Sequence, residues 1–220
     1  MKKAVILLSG GLDSATTLYY ARHKGYKCSC LVFDYAQRHK KEIKCAIRLA
    51  KLNKCDYKIV RIKLPWSKSA LTDKRIKLPL NRNIKVMAKE IPATYVPARN
   101  TIFLSFAVSY AESIGAKNIF IGANALDYSG YPDCRPNYIK AYEKAVNLCT
   151  KSGATGKKIK IETPLIRLKK NQIIELGIKL KVPYNITWSC YSGGKKPCGV
   201  CDSCKIREKG FKEFYGVHQL

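Results

Sequence analysis

An apolar run of strand length, Ala4–Leu8, ends directly in Ser9-Gly10-Gly11-Leu12-Asp13-Ser14, and helix-periodic residues follow. A buried strand that breaks at glycine and re-enters as a helix opens a parallel α/β sheet, because a parallel neighbour requires a crossover. Gly10 and Gly11 can take positive φ and let backbone N–H groups approach an anion. Ser9 and Ser14 add hydroxyl donors, and the helix start adds its dipole. Asp13 is expected to brace the loop, cap the helix or face Mg²⁺. The patterns G-x4-G-K-[ST] and G-x-G-x-x-G are both absent from the chain, which excludes a Walker-type γ-phosphate site and weakens a dinucleotide reading.

The remaining pattern extends the same architecture. The first helix is predicted over Ala15–Lys24 with Gly25 closing it, and Cys28–Phe33 reads as the next strand, ending at Asp34. Lys40–Leu52 places Ile43, Ala46, Ile47 and Ala50 on one helical face, and Tyr57–Leu64 alternates as a strand. This βαβαβ order predicts a doubly wound parallel sheet with right-handed crossovers. Residues 65–97 lose the periodicity and are expected to form an excursion or lid. Beyond it, helices are predicted over Arg99–Ile114, from Pro136 to about Cys149, over Lys169–Leu180 and over Asp202–Phe214. Strands are predicted over Lys117–Ala123 and Ile159–Glu162, with a turn over Thr150–Lys158.

Near the C-terminus, Cys190, Cys198, Cys201 and Cys204 follow the spacing C-x7-C-x2-C-x2-C. Four thiols so placed can wrap a tetrahedral Zn²⁺, with Gly194, Pro197 and Gly199 turning the chain around it. All four positions being cysteine leaves no open place for water, so the zinc is expected to be structural. The chain divides on this reading into an α/β domain carrying the glycine–serine loop, 1–186, and a zinc-binding segment with a terminal helix, 187–220. Of the other cysteines, Cys28, Cys30, Cys45, Cys55 and Cys149 are expected to be buried, inert thiols. The chain shows neither a leader nor an apolar run of spanning length, so it is expected to be cytoplasmic and without membrane contact. The formal charge of +27 favours anionic partners, but the lysines are spread over every segment. Direct RNA binding is therefore not expected.

Ser-Gly-Gly-x-Asp-Ser resembles the pyrophosphate (PP) loop of the N-type ATP pyrophosphatases, which have a Rossmann-like adenine nucleotide α-hydrolase fold. Three further stretches narrow the resemblance. They are Thr94-Tyr95-Val96-Pro97-Ala98-Arg99-Asn100, the run Gly122–Arg135 containing Gly130-Tyr131-Pro132-Asp133-Cys134, and Thr187-Trp188-Ser189-Cys190 leading into the cysteine cluster. Together with the loop they run nearly end to end in the order of the 7-cyano-7-deazaguanine (preQ0) synthases of queuosine and archaeosine biosynthesis, and the chain is identified as resembling that family.

The resemblance implies an ATP-dependent ligase that joins ammonia to 7-carboxy-7-deazaguanine and carries the product through an amide to a nitrile. A carboxylate is a poor electrophile, so its oxygen must be activated; the loop's kinship favours an adenylate. ATP with Mg²⁺ would lie on Leu8, Ser9, Gly10, Gly11, Leu12, Asp13, Ser14, Ala15, Thr16, Thr17, Leu18 and Asp34. Arg99 and Asn100 would meet the substrate with Asp127, Tyr131 and Asp133, the carboxylates taking the guanine-like donors and Tyr128 or Tyr131 stacking. Asp13, Ser14, Arg99 and Lys170 would carry the chemistry, Lys170 as a pyrophosphate-side cation. Adenylation makes a nucleophile unnecessary, so Cys134 is given no covalent role. His39 is placed to line the site, and His23 and His218 to lie on the surface. A homodimer is expected. The rival readings are a PP-loop enzyme that modifies a base held in tRNA, and transfer of deazaguanine to another amine acceptor.

Overall fold

The computed structural model describes residues 1–87, 90–125 and 131–218. Five strands form one parallel sheet: β1 (Lys3–Leu7), β2 (Lys27–Asp34), β3 (Asp56–Arg61), β4 (Asn118–Ile121) and β5 (Lys160–Glu162), in the spatial order β3-β2-β1-β4-β5. The helices are α1 (Leu12–His23), α2 (Lys41–Leu52), α3 (Ile84–Met87), α4 (Arg99–Ile114), α5 (Pro136–Cys149), α6 (Lys151–Ala154), α7 (Lys170–Lys179) and α8 (Asp202–His218).

β1 is apolar from Ala4 onward because it is covered on both faces there. Ala4, Ile6 and Leu8 pack with α1, α2 and α7 through Leu18, Leu49, Ile173 and Ile174. Val5 and Leu7 pack on the opposite face with Leu104, Ala107 and Val108 of α4 and Ile139 of α5. The chain leaves β1 toward β2 on one side and later returns to β4 on the other. The carboxyl ends of β1 and β4 therefore flank the topological switch point, where open α/β sheets bind ligands.

Several boundaries differ from the sequence expectation for local reasons. α1 begins at Leu12, not Ala15: Gly11 is the extended N-cap, and Ala15 N–H already donates to Gly11 O at 3.0 Å. The loop's last residues are thus the first helical turn. The 150–158 turn contains α6, whose start is capped by the Thr150 hydroxyl accepting from Gly153 N–H at 3.1 Å. β3 ends at Arg61, and α8 runs on to His218.

The excursion is tied down rather than loose. Leu71 and Val96 enter the core beneath it. The Arg38 guanidinium donates to the carbonyls of Ala70, Asp73, Lys74 and Ile76. At the far end Leu80 bridges to Cys201, Asn81 N–H donates to Val200 O at 2.9 Å, and Arg82 pairs with the fully buried Asp202 at 3.0 Å.

Candidate active site

A cavity of about 310 Å³ opens at the switch point. Its volume suits a small-molecule site. Its floor is the loop between β1 and α1. Gly10 takes φ +84°, and a β-carbon there would sit 2.1 Å from Glu42 O. Only glycine lets α2 lie this close. Gly122, just past β4, works in the same way: its β-carbon would meet the Asp13 carbonyl carbon and Ser14 N at 3.0 Å. Gly11, by contrast, is extended at φ −80°.

The Ser14 hydroxyl organises the loop. Ser9 N–H and Gly10 N–H each donate to it at 3.2 Å, and it donates to Gly11 O at 3.2 Å. The bracing role expected of Asp13 belongs to Ser14, and Asp13 makes no helix cap. Its carboxylate instead receives Lys170 Nζ at 2.8 and 2.9 Å, from the start of α7. Lys170 is largely buried, so the pair is a charged group fixed in the cavity wall rather than a solvated contact.

The opposite wall is aromatic and cationic. Arg99 opens α4 and lies 5.8 Å from the Tyr35 ring and 5.9 Å from the Tyr131 ring. It also donates to Tyr35 Oη at 3.4 Å. Beside it Asp133 accepts from Asn100 N–H at 3.0 Å, and Asn100 Nδ2 donates to Cys134 Sγ at 3.2 Å. Burial, then the neighbouring Asp133, push the Cys134 thiol up to about 12, so it is a neutral thiol at physiological pH.

Of the residues expected at the site, Leu8, Ser9, Gly11, Leu12, Asp13, Ser14, Arg99, Asn100, Tyr131 and Lys170 line the cavity. Gly10 lies just behind it against α2. Ala15 and Leu18 belong to the core, and Thr16 and Thr17 bond within α1 and to Tyr184. Asp34 stands off the cavity, paired with Lys40 at 3.0 Å. Asp133 faces the start of α4 rather than the cavity. Asp127 and Tyr128 lie outside the described residues. His39 lines the cavity and His23 is exposed. Lining groups that carried no sequence motif are Gln37, Glu42 and Arg207, while Trp188 belongs to the Thr187–Cys190 stretch. Arg207 is fixed by Thr187 Oγ1 and Tyr184 O, both at 2.8 Å. The sequence places Glu42 in the first turn of a helix, and only the fold brings that helix against the loop.

Cys190, Cys198, Cys201 and Cys204 have sulfurs that all lie within 4.8 Å of one another. A tetrahedral Zn²⁺ with its usual thiolate bond length places sulfurs ~3.8 Å apart. Cys198 N–H donates to Cys190 Sγ at 3.3 Å and Cys201 N–H to Cys198 Sγ at 3.4 Å, the donors that stabilise thiolates. The donor set fits a metal ion. Among the other cysteines Cys28, Cys30 and Cys55 are buried as expected, but Cys149 is exposed and Cys45 half-buried, since both sit on outward positions of their helices.

A similar fold occurs far away in sequence. The NMN synthetase of Francisella tularensis superposes with a TM-score of 0.53 at 18% identity, covering 98% of this chain and 77% of its own. It shares the fold, the doubly wound sheet expected of a PP-loop protein. Curated relatives stand much nearer. A 7-cyano-7-deazaguanine synthase from Trichormus variabilis is 55% identical over 96% of this chain and 94% of its own. One from the archaeon Thermoplasma volcanium is 56% identical over 96% of this chain and 87% of its own. Residues 3–215 match the profile described as queuosine biosynthesis protein QueC, and the chain belongs to that family.

Proposed function

We propose that the protein is a 7-cyano-7-deazaguanine synthase: an ATP-dependent carbon–nitrogen ligase that takes 7-carboxy-7-deazaguanine and ammonia to the nitrile. The observation that carries this is the division of one cavity between a hydroxyl- and glycine-built loop and an arginine set between tyrosines. ATP, with Mg²⁺, lies with its phosphates over Ser9–Ser14 and the open N–H groups of the first turn of α1. Lys170 neutralises charge on the departing phosphates, and Asp13 holds its ammonium in place. Arg99 binds the substrate carboxylate, and Tyr35 and Tyr131 stack on the deazapurine. Asp127 supplies an acceptor for the purine's donors, and Asp133 reaches the substrate through Asn100.

The four cysteines hold one structural Zn²⁺, and residues 187–220 act as its segment beside the ATP-binding domain 1–186. The family resemblance carries the expectation of a homodimer. No helix among the described residues is long and apolar enough to cross a membrane, and a biosynthetic enzyme drawing on ATP fits the cytoplasm. The rival acceptor, a base held in RNA, has the charge of +27 on its side, but the lysines that carry it are spread over every segment.

The test is a mass-spectrometric assay of zinc-loaded protein with 7-carboxy-7-deazaguanine, ATP, Mg²⁺ and ammonium. The nitrile is expected to appear with ATP and to fall by roughly 100-fold or more in Lys170→Ala, as for loss of a charge stabiliser. ATP binding with neither amide nor nitrile formed would overturn the reading and bring tRNA forward as acceptor.

A further inference from the structure

A nitrile imposes a proton requirement. Its nitrogen enters as ammonia with three N–H bonds and ends with none. Each loss needs an acceptor beside that nitrogen, within hydrogen-bond reach. This requirement rests on the function proposed above.

The ionisable groups that line the cavity, among the described residues, differ in their fitness for it. Asp13 is held by Lys170. Arg38, Arg99, Arg207 and Lys170 are cations, and Tyr131 and Tyr191 are phenols, the Tyr131 hydroxyl sharing a hydrogen bond with Thr94 Oγ1 at 3.0 Å. Cys134 and Tyr35 are both pushed upward, by burial first, and stay protonated. His39 is wedged against the cysteine-bearing loop, where a β-carbon on Gly193 would meet its ring. Glu42 has a different setting. It stands in the first turn of α2, with its backbone against Gly10 of the loop. Gln37 Nε2 donates to its Oε1 at 3.0 Å. Gln37 is itself locked, accepting from Tyr35 N–H at 2.9 Å and donating to Phe33 O at 3.2 Å. One carboxyl oxygen is thus held by a fixed donor, while the side chain forms part of the cavity wall between loop and tyrosines.

We propose that Glu42 is the base that accepts the protons leaving the nitrogen as ammonia becomes amide and amide becomes nitrile. In the first stage the ammonia lone pair forms the C–N bond to the activated acyl carbon. The C–O bond to the activated oxygen breaks, that oxygen leaves with its nucleotide or phosphoryl group, and one N–H proton passes to the Glu42 carboxylate. In the second, the amide oxygen attacks phosphorus of another ATP, a P–O bond breaks, and the nitrogen gives up a proton as C=N forms. In the third, the remaining N–H proton goes to Glu42, the electron pair forms C≡N, and the activated oxygen departs. Between stages Glu42 returns its proton to solvent.

The electrostatics agree. Burial raises the Glu42 carboxyl to about 7, while the Gln37 bond and the Arg99 charge oppose that rise. A group poised there can both accept and release a proton near neutral pH. The ionisable neighbours facing it are Tyr35 from the end of β2, Arg99 from α4 and Cys45 on α2 itself.

The test compares wild type with Glu42→Gln, which keeps the oxygen that Gln37 bonds. Three quantities are measured: nitrile and amide formed with ammonium, substrate-dependent ATP consumption without it, and the pH profile corrected for free ammonia. The expected result is nitrile and amide formation down by about 10²-fold or more, the usual worth of a general base. The acid limb near neutral pH should vanish, Glu42→Asp should restore part of the rate, and consumption without ammonium should stay within about threefold. Nitrile formation near the wild-type rate, or an unchanged acid limb, overturns the assignment. Loss of ATP consumption together with a raised KM for 7-carboxy-7-deazaguanine overturns it too, in favour of a carboxylate that binds the purine edge. A wild type that makes neither amide nor nitrile overturns the underlying function instead.

Discussion

Gly10 and Gly25 both take φ near +80°, yet a methyl group would have opposite consequences at the two. At Gly25 nothing lies within 4 Å, so Gly25→Ala costs only the left-handed conformation, about 1–2 kcal/mol. At Gly10 the same methyl meets Glu42 O and Ala46 N, which are helix backbone and cannot turn aside. Gly10→Ala is expected to abolish ATP binding and to lower the melting temperature well beyond Gly25→Ala, as calorimetry with and without ATP would show. Glu42 carries a second residue-scale consequence. Its folded carboxyl titrates at about 7 against an ordinary 4.5, so the unfolded chain loses this proton first. The contribution to stability is full below the unfolded value and is lost as pH rises through the folded one. Glu42→Gln should therefore be more stable than wild type at pH 8, by up to about 3 kcal/mol, and equal to it near pH 4. Melting curves at the two pH values check this; a gain that does not depend on pH would refute the linkage. The strand-to-helix turn at Gly10 was legible because its geometry is local. Glu42 was not, since its meaning depends on α2 reaching the loop across a sheet, and nothing in its neighbours' spacing records that.

At the scale of elements, the helices α4 and α5 are legible to the residue: Gly115 at φ +67° ends one and Pro136 begins the other. Both are local stop and start signals. Residues 65–97 carry no such period because they are held by long-range side-chain contacts. Arg38 gathers four carbonyls at one end, and Arg82 reaches the buried Asp202 at the other. Such anchors are long-range pairings that no window of sequence contains. Leu71 of this segment lines the cavity, so the anchors also set its shape. Arg82→Ala removes the guanidinium from a carboxylate that is fully buried, a loss worth about 3–5 kcal/mol to the docked segment. Hydrogen exchange in residues 74–84 should accelerate while β1 and β2 keep their protection. Equal acceleration in the sheet would mean that the excursion is part of the global folding unit.

The whole molecule is organised around one dependence: the cysteine cluster sits where three parts of the cavity wall are anchored. Cys201 bridges to Leu80 of the excursion. The helix that begins at Asp202 carries Arg207 into the cavity and packs Gly210 against Lys170, where a β-carbon would lie 2.3 Å from Lys170 Cγ. Lys41 of α2 donates to Lys195 O at 3.0 Å and lies 4.2 Å from the Trp188 ring, tying the loop between the first two cysteines to the sheet. A metal bound there contributes on the order of 10 kcal/mol to local folding. The parallel sheet, buried on both faces by its own helices, does not depend on it. Removing the metal with a strong chelator should therefore release residues 187–218 and the 74–84 anchor together. Lys170 and Arg207 would lose their seats, as would Trp188, whose backbone N–H donates to Gly10 O at 2.9 Å, and ATP binding is expected to fall. Hydrogen exchange of the metal-free protein is expected to show protection lost in those two segments and kept in β1, β2 and β4. Cys201→Ser should reproduce the pattern without chelator, because a hydroxyl would replace the thiol of the most buried of the four cysteines that could hold the ion. Retention of ATP affinity in the metal-free protein would separate the cluster from the site and leave it as a staple for the C-terminal segment alone.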